Sequence, residues 1–96
     1  MPLMEISIVP VGGETPSFST VVKDACRIVQ KNGLSYQVTP TATVVEGDLD
    51  SLISVASDIH RTSLQNGIQR LITHITIDDR QDEPMGLQRQ TDKVRP

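Results

Sequence analysis

Two segments of this chain place apolar side chains at the three- and four-residue spacing of an amphipathic helix, and both end at an Asn-Gly pair. Asn32-Gly33 and Asn66-Gly67 favour a left-handed glycine that ends each helix. The first apolar stripe comprises Phe18, Val21, Val22, Ala25, Ile28 and Val29. The second comprises Leu49, Leu52, Ile53, Ala56, Ile59, His60 and Ser63. A chain of 96 residues fits a single domain, in which two such helices need a sheet to cover their apolar faces.

Runs of alternating and β-branched apolar residues before, between and after the helices predict the strands of this sheet. The predicted strands are residues 3–11, 36–39, 41–46 and 68–78. Pro40 separates the second strand from the third, and the two form either a hairpin or a bent, bulged pair. The predicted element order is therefore βαββαβ.

This order predicts an α+β fold. Because crossover connections are right-handed, we expect both helices on one face of a four-stranded antiparallel sheet, which is the ferredoxin-like βαββαβ sandwich. We expect this domain to span residues 1–84. Residues 85–96 are polar apart from isolated apolar side chains, and we expect a weakly held C-terminal tail there.

One face of the predicted sheet has no helix to cover it. If the helices cover Met4, Ile6 and Ile8, the aliphatic residues on the other face are Val9, Val11, Val45 and Ile72. The polar residues among them are Ser7, Thr43, His74 and Thr76. A monomer leaves these aliphatic side chains in water, so we expect a homo-oligomer in which another subunit covers this face.

Composition excludes several classes of protein. With one Phe, one Tyr and no Trp, the chain lacks the aromatic platform of a single-stranded nucleic-acid binder, and its net charge of −3 disfavours a phosphate backbone. The single cysteine, Cys26, excludes a disulfide scaffold and a cysteine-based zinc site. No basic leader precedes the first apolar stretch, and no apolar run approaches the ~20 residues that span a bilayer. We therefore expect a cytoplasmic protein with neither nucleic acid nor membrane as a partner.

The end of the third predicted strand offers a candidate binding site. Glu46 stands just before Gly47 and the start of a helix, with Thr43 three residues earlier. A carboxylate in this place can accept two hydrogen bonds from an amidine-like edge, and threonine can donate or accept. The alternative is that Glu46 caps the helix and the threonines merely suit a strand.

The last strand ends in a charged cluster at residues 78–82. Arg80, Asp78 and Asp82 are candidates for a cation site or for ion pairs across a subunit boundary. The alternative is an exposed loop in which Arg80 pairs with a neighbouring carboxylate, an arrangement that contributes only ~0–1 kcal/mol to stability.

No set of residues predicts catalysis. His60 lies on a helix and His74 on a strand, and a metal-assisted hydrolase using either with Asp78 is one remaining hypothesis. Cys26 lies beside an apolar stripe and is interpreted as a small core residue. We expect no catalytic residue, no metal and no cofactor.

An ordered set of short motifs runs through the chain. It comprises residues 5–12 (EISIVPVG), Thr39-Pro40, residues 43–47 (TVVEG), His60, Gly67, Arg70, residues 75–80 (ITIDDR) and Asp82. As a set, these motifs resemble the small thiamine-binding protein family over about residues 3 to 84. The resemblance implies a ferredoxin-like fold that packs as a dimer of dimers, and therefore a homotetramer.

The resemblance also implies a ligand. It suggests a non-enzymatic protein that binds thiamine or its hydroxymethylpyrimidine moiety at a subunit interface. In this hypothesis Glu46 contacts the amino group and a ring nitrogen of the pyrimidine, and Thr43 and Ser7 satisfy the remaining polar atoms. Tyr36 is the candidate for stacking on a ring. The alternative is a structural or regulatory oligomer with no small-molecule ligand.

Overall fold

The computed structural model describes residues 1–12 and 18–82, and of residues 18 and 19 it describes the backbone alone. The elements are β1 (Leu3–Pro10), α1 (Phe18–Lys31), β2 (Ser35–Val38), β3 (Thr43–Glu46), α2 (Leu49–Gln65) and β4 (Leu71–Asp78). The strands form one antiparallel sheet in the order β2-β3-β1-β4. The predicted α+β, ferredoxin-like fold is confirmed. The predicted tail, residues 85–96, lies outside the described residues.

Both helices pack on the same face of the sheet, here called the helix face. Met4, Ile6 and Ile8 point into this layer, as predicted from their alternation along β1. The side chains that the helices and β3 add to the core are Val21, Ala25, Val29, Val45, Leu52, Val55, Ala56 and Ile59. Burial of these aliphatic groups is the main favourable term in folding, at ~25 cal/mol per Å² of apolar surface.

Both helices end where the Asn-Gly pairs predicted. Gly33 has φ +72° and Gly67 has φ +87°, a region that glycine enters without steric cost. At the other end of α2, Asp48 is the N-cap, since its carboxylate accepts hydrogen bonds from the Ser51 amide at 3.1 Å and from the Ser51 hydroxyl at 2.6 Å.

The Asp48 cap makes one contribution to stability depend on pH. The hydrogen bonds from the Ser51 side chain and amide lower the pKa of Asp48 below its ordinary value. Because the folded-state pKa is the lower one, this stabilisation is present above the unfolded pKa of ~3.9 and is lost as pH falls through the folded value. Asp48→Asn keeps a capping side chain but removes the titration. We expect it to lose less thermal stability than the wild type between pH 6 and pH 3; equal losses would contradict this role.

The buried side of α2 differs from the prediction. Val55 is buried at the centre of the helix although the predicted stripe omitted it, whereas Leu49 and Ile53 are exposed. The helix packs on the sheet through Leu52, Val55 and Ile59, and Ile53 lies beside the edge strand β4. Since apolar residues surround this helix on more than one side, their spacing alone did not fix which side faces the sheet.

The prediction of which β3 side chains face the helices was wrong. Val45 pairs with Met4 and Thr43 pairs with Ile6, so both point to the helix face and are buried. The regular register leaves no bulge in β3. The β2–β3 connection is a tight turn, closed by a 2.8 Å hydrogen bond from the Thr39 amide to the Ala42 carbonyl oxygen.

The other face of the sheet, here called the open face, carries a mixture of aliphatic and charged side chains. By register its residues are Leu3, Glu5, Ser7, Val9, Ser35, Gln37, Val44, Glu46, Ile72, His74, Thr76 and Asp78. Val9 and Ile72 are opposite each other and both are exposed, as predicted. Among the described residues, no helix is long and apolar enough to cross a membrane.

Candidate functional site

A pocket opens where β1 runs past the end of β3. The last pair between these strands is Ile6 with Thr43, so residues 7–10 of β1 have no partner in β3. Helix α1 and the β2–β3 turn close the space beside this uncovered edge, leaving a cavity of about 330 Å³. We call it the hairpin pocket. Its volume lies at the lower end of the ~300–1,000 Å³ range of small-molecule sites.

The walls of the hairpin pocket are mostly apolar. They are formed by Ile6, Ile8, Val22, Ala25, Val38 and Ala42. The polar residues that line it are Ser7, Thr39, Thr41 and Thr43, together with one charged residue, Lys23. Apolar walls with a few hydroxyl groups suit a flat molecule with a polar edge.

Thr43 contributes the most deeply placed hydroxyl group of this pocket. Its side chain is 5% exposed and makes no hydrogen bond to any described residue. Ser7 likewise has a hydroxyl without a partner in the described part of the chain. By contrast, the Thr39 hydroxyl is engaged within the turn, where it donates to the Ala42 carbonyl oxygen at 2.8 Å. Thr43 therefore offers an available hydroxyl group on the helix face of the pocket, and the Thr41 hydroxyl also has no partner among the described residues, whereas the register places the Ser7 side chain on the open face.

The structure brings together only part of the predicted site. Ser7 and Thr43 both line the hairpin pocket, although the register places the Ser7 side chain on the open face and the Thr43 side chain on the helix face. Glu46 lies at the other end of β3, opposite Leu3, and on the open face rather than the helix face. Three residues of strand separate it from Thr43 by about 10 Å. Within one chain, Glu46 and Thr43 therefore do not bind the same edge of a small ring.

Tyr36 also lies away from the hairpin pocket. It is opposite Val45 on the helix face, and its hydroxyl accepts a 2.9 Å hydrogen bond from the Gln30 side chain. Burial raises the pKa of the neighbouring Cys26 thiol, against an opposing effect of its hydrogen bond with Tyr36. A raised pKa leaves this thiol protonated at neutral pH, which agrees with the interpretation of Cys26 as a packing residue.

The charged cluster after β4 forms a local ion pair. The Arg80 guanidinium donates to both carboxylate oxygens of Asp82, at 3.0 Å and 2.8 Å. Asp78 is the last residue of β4 and lies on the open face, opposite Leu3. The role of these three residues in a subunit interface stays a prediction.

The two histidines lie on opposite faces of the sheet. The His60 ring nitrogen Nδ1 is 2.8 Å from the Thr73 hydroxyl on the helix face, whereas His74 is on the open face opposite Ser7. Asp78 is four residues from His74 along β4, about 13 Å away. Among the described residues, no group of three or more His, Cys, Asp or Glu side chains could hold a metal ion.

Sequence reasoning missed Lys23, Ala42 and the turn as parts of a site. The pocket exists because β1 is eight residues long and β3 only four. This difference in length is a property of the strand ends, which sequence patterns locate poorly. The Thr-Pro-Thr sequence at residues 39–41 was the one feature that indicated a turn at this place.

Comparison with known proteins finds relatives along nearly the whole chain. The UPF0045 protein YqgV of Bacillus subtilis is 37% identical, over 98% of this chain and 94% of its own length. A solved structure from Methanocaldococcus jannaschii, of a hypothetical protein, has a TM-score of 0.86 at 31% identity, over 97% of this chain and 94% of that chain. A structure from Thermotoga maritima has a TM-score of 0.80 at 22% identity, over 98% of both chains, and shows the fold alone.

The family match agrees with the motifs and with the fold. The thiamine-binding protein family matches residues 4–95, which is nearly the full length of the chain. The Bacillus subtilis relative extends over the same region at more than 30% identity. The resemblance inferred from the ordered motifs is thereby confirmed. The chain belongs to the thiamine-binding protein family.

Proposed function

We propose that this protein binds thiamine or its hydroxymethylpyrimidine moiety in the hairpin pocket and releases it unchanged. The observation that carries the proposal is the pocket itself, in which the buried, unpartnered hydroxyl group of Thr43 lies among apolar walls. The name of the family supports a thiamine-like ligand. The Thermotoga maritima protein, provisionally named a thiamine biosynthesis or salvage protein, has the same fold.

The chemistry of the pyrimidine fits the lining of the pocket. An aminopyrimidine has two apolar ring faces and an edge of alternating hydrogen-bond donors and acceptors. The ring faces suit the walls at Ile6 and Val22, and the edge suits the hydroxyl group of Thr43. Backbone groups along the uncovered edge of residues 7–10 add further donors or acceptors.

Lys23 distinguishes between the two forms of the ligand. It is the one charged side chain among the described residues that line the pocket. The ammonium group of this exposed residue repels the thiazolium cation of thiamine but not the neutral hydroxymethylpyrimidine. We therefore expect the pyrimidine to bind more tightly than thiamine, although the net charge of −3 reduces this difference at long range.

A second subunit completes the proposed assembly. The open face exposes Val9 and Ile72 in a protomer, and their burial against another copy favours a homo-oligomer, which we propose is a tetramer. Glu46 is on this face, so it contributes to a ligand site only where a neighbouring subunit approaches. The proposed role is binding rather than catalysis, because the described lining of the pocket contains neither a carboxylate nor a His or Cys side chain.

Thr43→Val tests this proposal with little change in shape. The substitution replaces a hydroxyl group by a methyl group, so we expect the fold to persist and the affinity for hydroxymethylpyrimidine to fall about tenfold, the value of one hydrogen bond. Isothermal titration calorimetry measures the change. Thr62→Val makes the same chemical change on α2, away from the pocket, and should bind as the wild type does. Unchanged affinity in Thr43→Val would exclude this hydroxyl from the site.

A further inference from the structure

The polar residues that line the hairpin pocket differ in their exposure. Thr43 is buried, with 5% of its surface exposed. Lys23 and Thr41 also line the pocket, but both are exposed to solvent. A ligand that uses all three residues therefore has a neutral polar part that is buried and a second polar group that stays near solvent.

Strand β1 adds a backbone donor and a backbone acceptor to the buried part of the pocket. Successive residues of an antiparallel strand direct their N–H and C=O groups to opposite edges. On the β4 side, the Val11 amide donates to the Arg70 carbonyl oxygen at 2.9 Å. On the β3 side, the Gly47 amide donates to the Pro2 carbonyl oxygen at 3.3 Å. By this alternation, the N–H and C=O of Ile8 face the uncovered edge of β1, beyond the end of β3.

These two groups suit the ring of the proposed ligand. Ile8 is 7% exposed, and its N–H and C=O have no partner on this edge among the described residues. A buried donor beside a buried acceptor matches an aminopyrimidine, whose ring nitrogen accepts and whose adjacent amino group donates. The buried part of the pocket thus suits the neutral ring, and the exposed residues are left to contact its substituent.

Lys23 brings an unpaired positive charge to the pocket. Its side chain forms no ion pair or hydrogen bond with another described residue. The adjacent carboxylate, that of Asp24, is engaged elsewhere, since it accepts hydrogen bonds from Arg27 at 3.1 Å and from Asn66 at 3.2 Å. No acidic residue stands three or four positions from Lys23 along α1, and none of the described residues of the pocket is acidic. The ammonium group is therefore available to an anion.

We propose that the preferred ligand of the hairpin pocket is the phosphate monoester of hydroxymethylpyrimidine, with Lys23 contacting the phosphate group. This inference rests on the proposed function and names the form of the pyrimidine that the site selects. A phosphate monoester carries a charge of about −1.5 to −2 at pH 7 and three strong acceptor oxygens. The Lys23 ammonium donates to them with the help of charge, and the unpartnered Thr41 hydroxyl is a further donor.

The same charge orders three related ligands. The anionic ester should bind most tightly, the neutral pyrimidine less tightly and the thiazolium cation of thiamine least tightly. Because Lys23 is exposed, we expect the ester to exceed the pyrimidine by about fivefold in affinity rather than by a larger factor.

Removing the charge of Lys23 tests the inference through two effects of opposite sign. Lys23→Gln keeps a polar side chain, and we expect it to lower the affinity for the ester about fivefold and to raise the affinity for thiamine. The affinity for the neutral pyrimidine should stay within about twofold of the wild type. Calorimetric titration in about 50 mM NaCl measures all three ligands, because higher salt screens an exposed charge. A substitution that merely damages the pocket would weaken all three together and contradict the inference.

Two further variants and one further ligand control the comparison. Lys31→Gln removes the same charge from α1 at an exposed residue that does not line the pocket, so it should keep the wild-type order. Lys23→Arg keeps the positive charge and should keep that order as well. Inorganic phosphate lacks the ring and should bind at least about ten times more weakly than the ester. Equal affinity for phosphate and ester would show that the ring contributes nothing and would overturn the inference.

The outcomes also separate this inference from the proposed function. If the pyrimidine binds and its ester binds no more tightly, the proposed function stands and the inference is wrong. The inference is equally wrong if Lys31→Gln reduces the preference for the ester as much as Lys23→Gln does. If neither the pyrimidine nor its ester binds to the wild type, both the inference and the proposed function fail.

Discussion

Ala42→Phe is expected to weaken hydroxymethylpyrimidine binding by at least a hundredfold and to leave the chain folded. Ala42 is half-buried in the wall of the hairpin pocket. Its backbone hydrogen bonds with Thr39 close the turn and do not depend on its side chain. A phenyl ring at this position has about the size of the pyrimidine and fills the space that the ligand needs. Binding then requires displacement of a buried ring, which costs several kcal/mol.

The control for this variant is an equally large substitution elsewhere. Ser54→Phe puts a phenyl ring on the exposed side of α2, away from the pocket. Circular dichroism checks the fold of both variants, and calorimetric titration measures their affinity. We expect the Ser54 variant to bind as the wild type does. If Ala42→Phe retains affinity within threefold of the wild type, the ligand binds outside the hairpin pocket.

Leu52→Ala is expected to lower the free energy of unfolding by about 2–5 kcal/mol, the usual cost of removing a large buried side chain. Leu52 is fully buried where α2 packs on the sheet. Its side chain also approaches Gly47, where a Cβ atom would lie 3.5 Å from Leu52 Cδ2. Because the interior is closely packed here, we expect the neighbouring side chains to fill only part of the cavity that Leu52→Ala creates.

Urea denaturation at a fixed protein concentration measures this loss, because oligomerisation makes stability depend on concentration. Leu64→Ala is the matched control, since Leu64 is a leucine of the same helix with an exposed side chain. We expect its effect to stay within about 0.5 kcal/mol. Similar losses in both variants would contradict the assignment of Leu52 to the core.

The sequence was sufficient to predict the fold because its local signals agree with one another. The helix stripes and the two Asn-Gly pairs locate α1 and α2, and the β-branched runs locate the strands before, between and after them. Because crossover connections are right-handed, this element order favours a single topology, an antiparallel sheet with both helices on one face. The boundaries differ by a few residues, most at β4, which begins at Leu71 rather than at residue 68.

The faces of β3 could not be predicted in the same way. Val44 and Val45 are adjacent and both apolar, so alternation does not show which of them points to the helices. The register with β1 decides, because Met4 is opposite Val45. Thr43 and Glu46 are three residues apart, so the regular register of β3 places them on opposite faces, with Thr43 in the hairpin pocket. A candidate site inferred from neighbouring residues was therefore divided between two faces of the sheet.

Two exposed isoleucines on the helix side of the sheet show a similar limit in predicting burial from apolar periodicity. Ile53 and Ile75 follow the apolar periodicity of α2 and β4, which predicts burial in a single chain. In the protomer they remain exposed beside the edge of the sheet. Apolar periodicity therefore identifies these side chains without showing whether they lie in the core of the chain or on its surface.

Calorimetric titration of the purified protein with hydroxymethylpyrimidine and with thiamine, together with light scattering in the same buffer, tests the central claim most directly. We predict micromolar binding of the pyrimidine, weaker binding of thiamine, and the mass of a homo-oligomer. An oligomer that releases or absorbs no heat with either ligand, at concentrations up to the millimolar range and at two temperatures, would contradict the proposal and favour a structural or regulatory role.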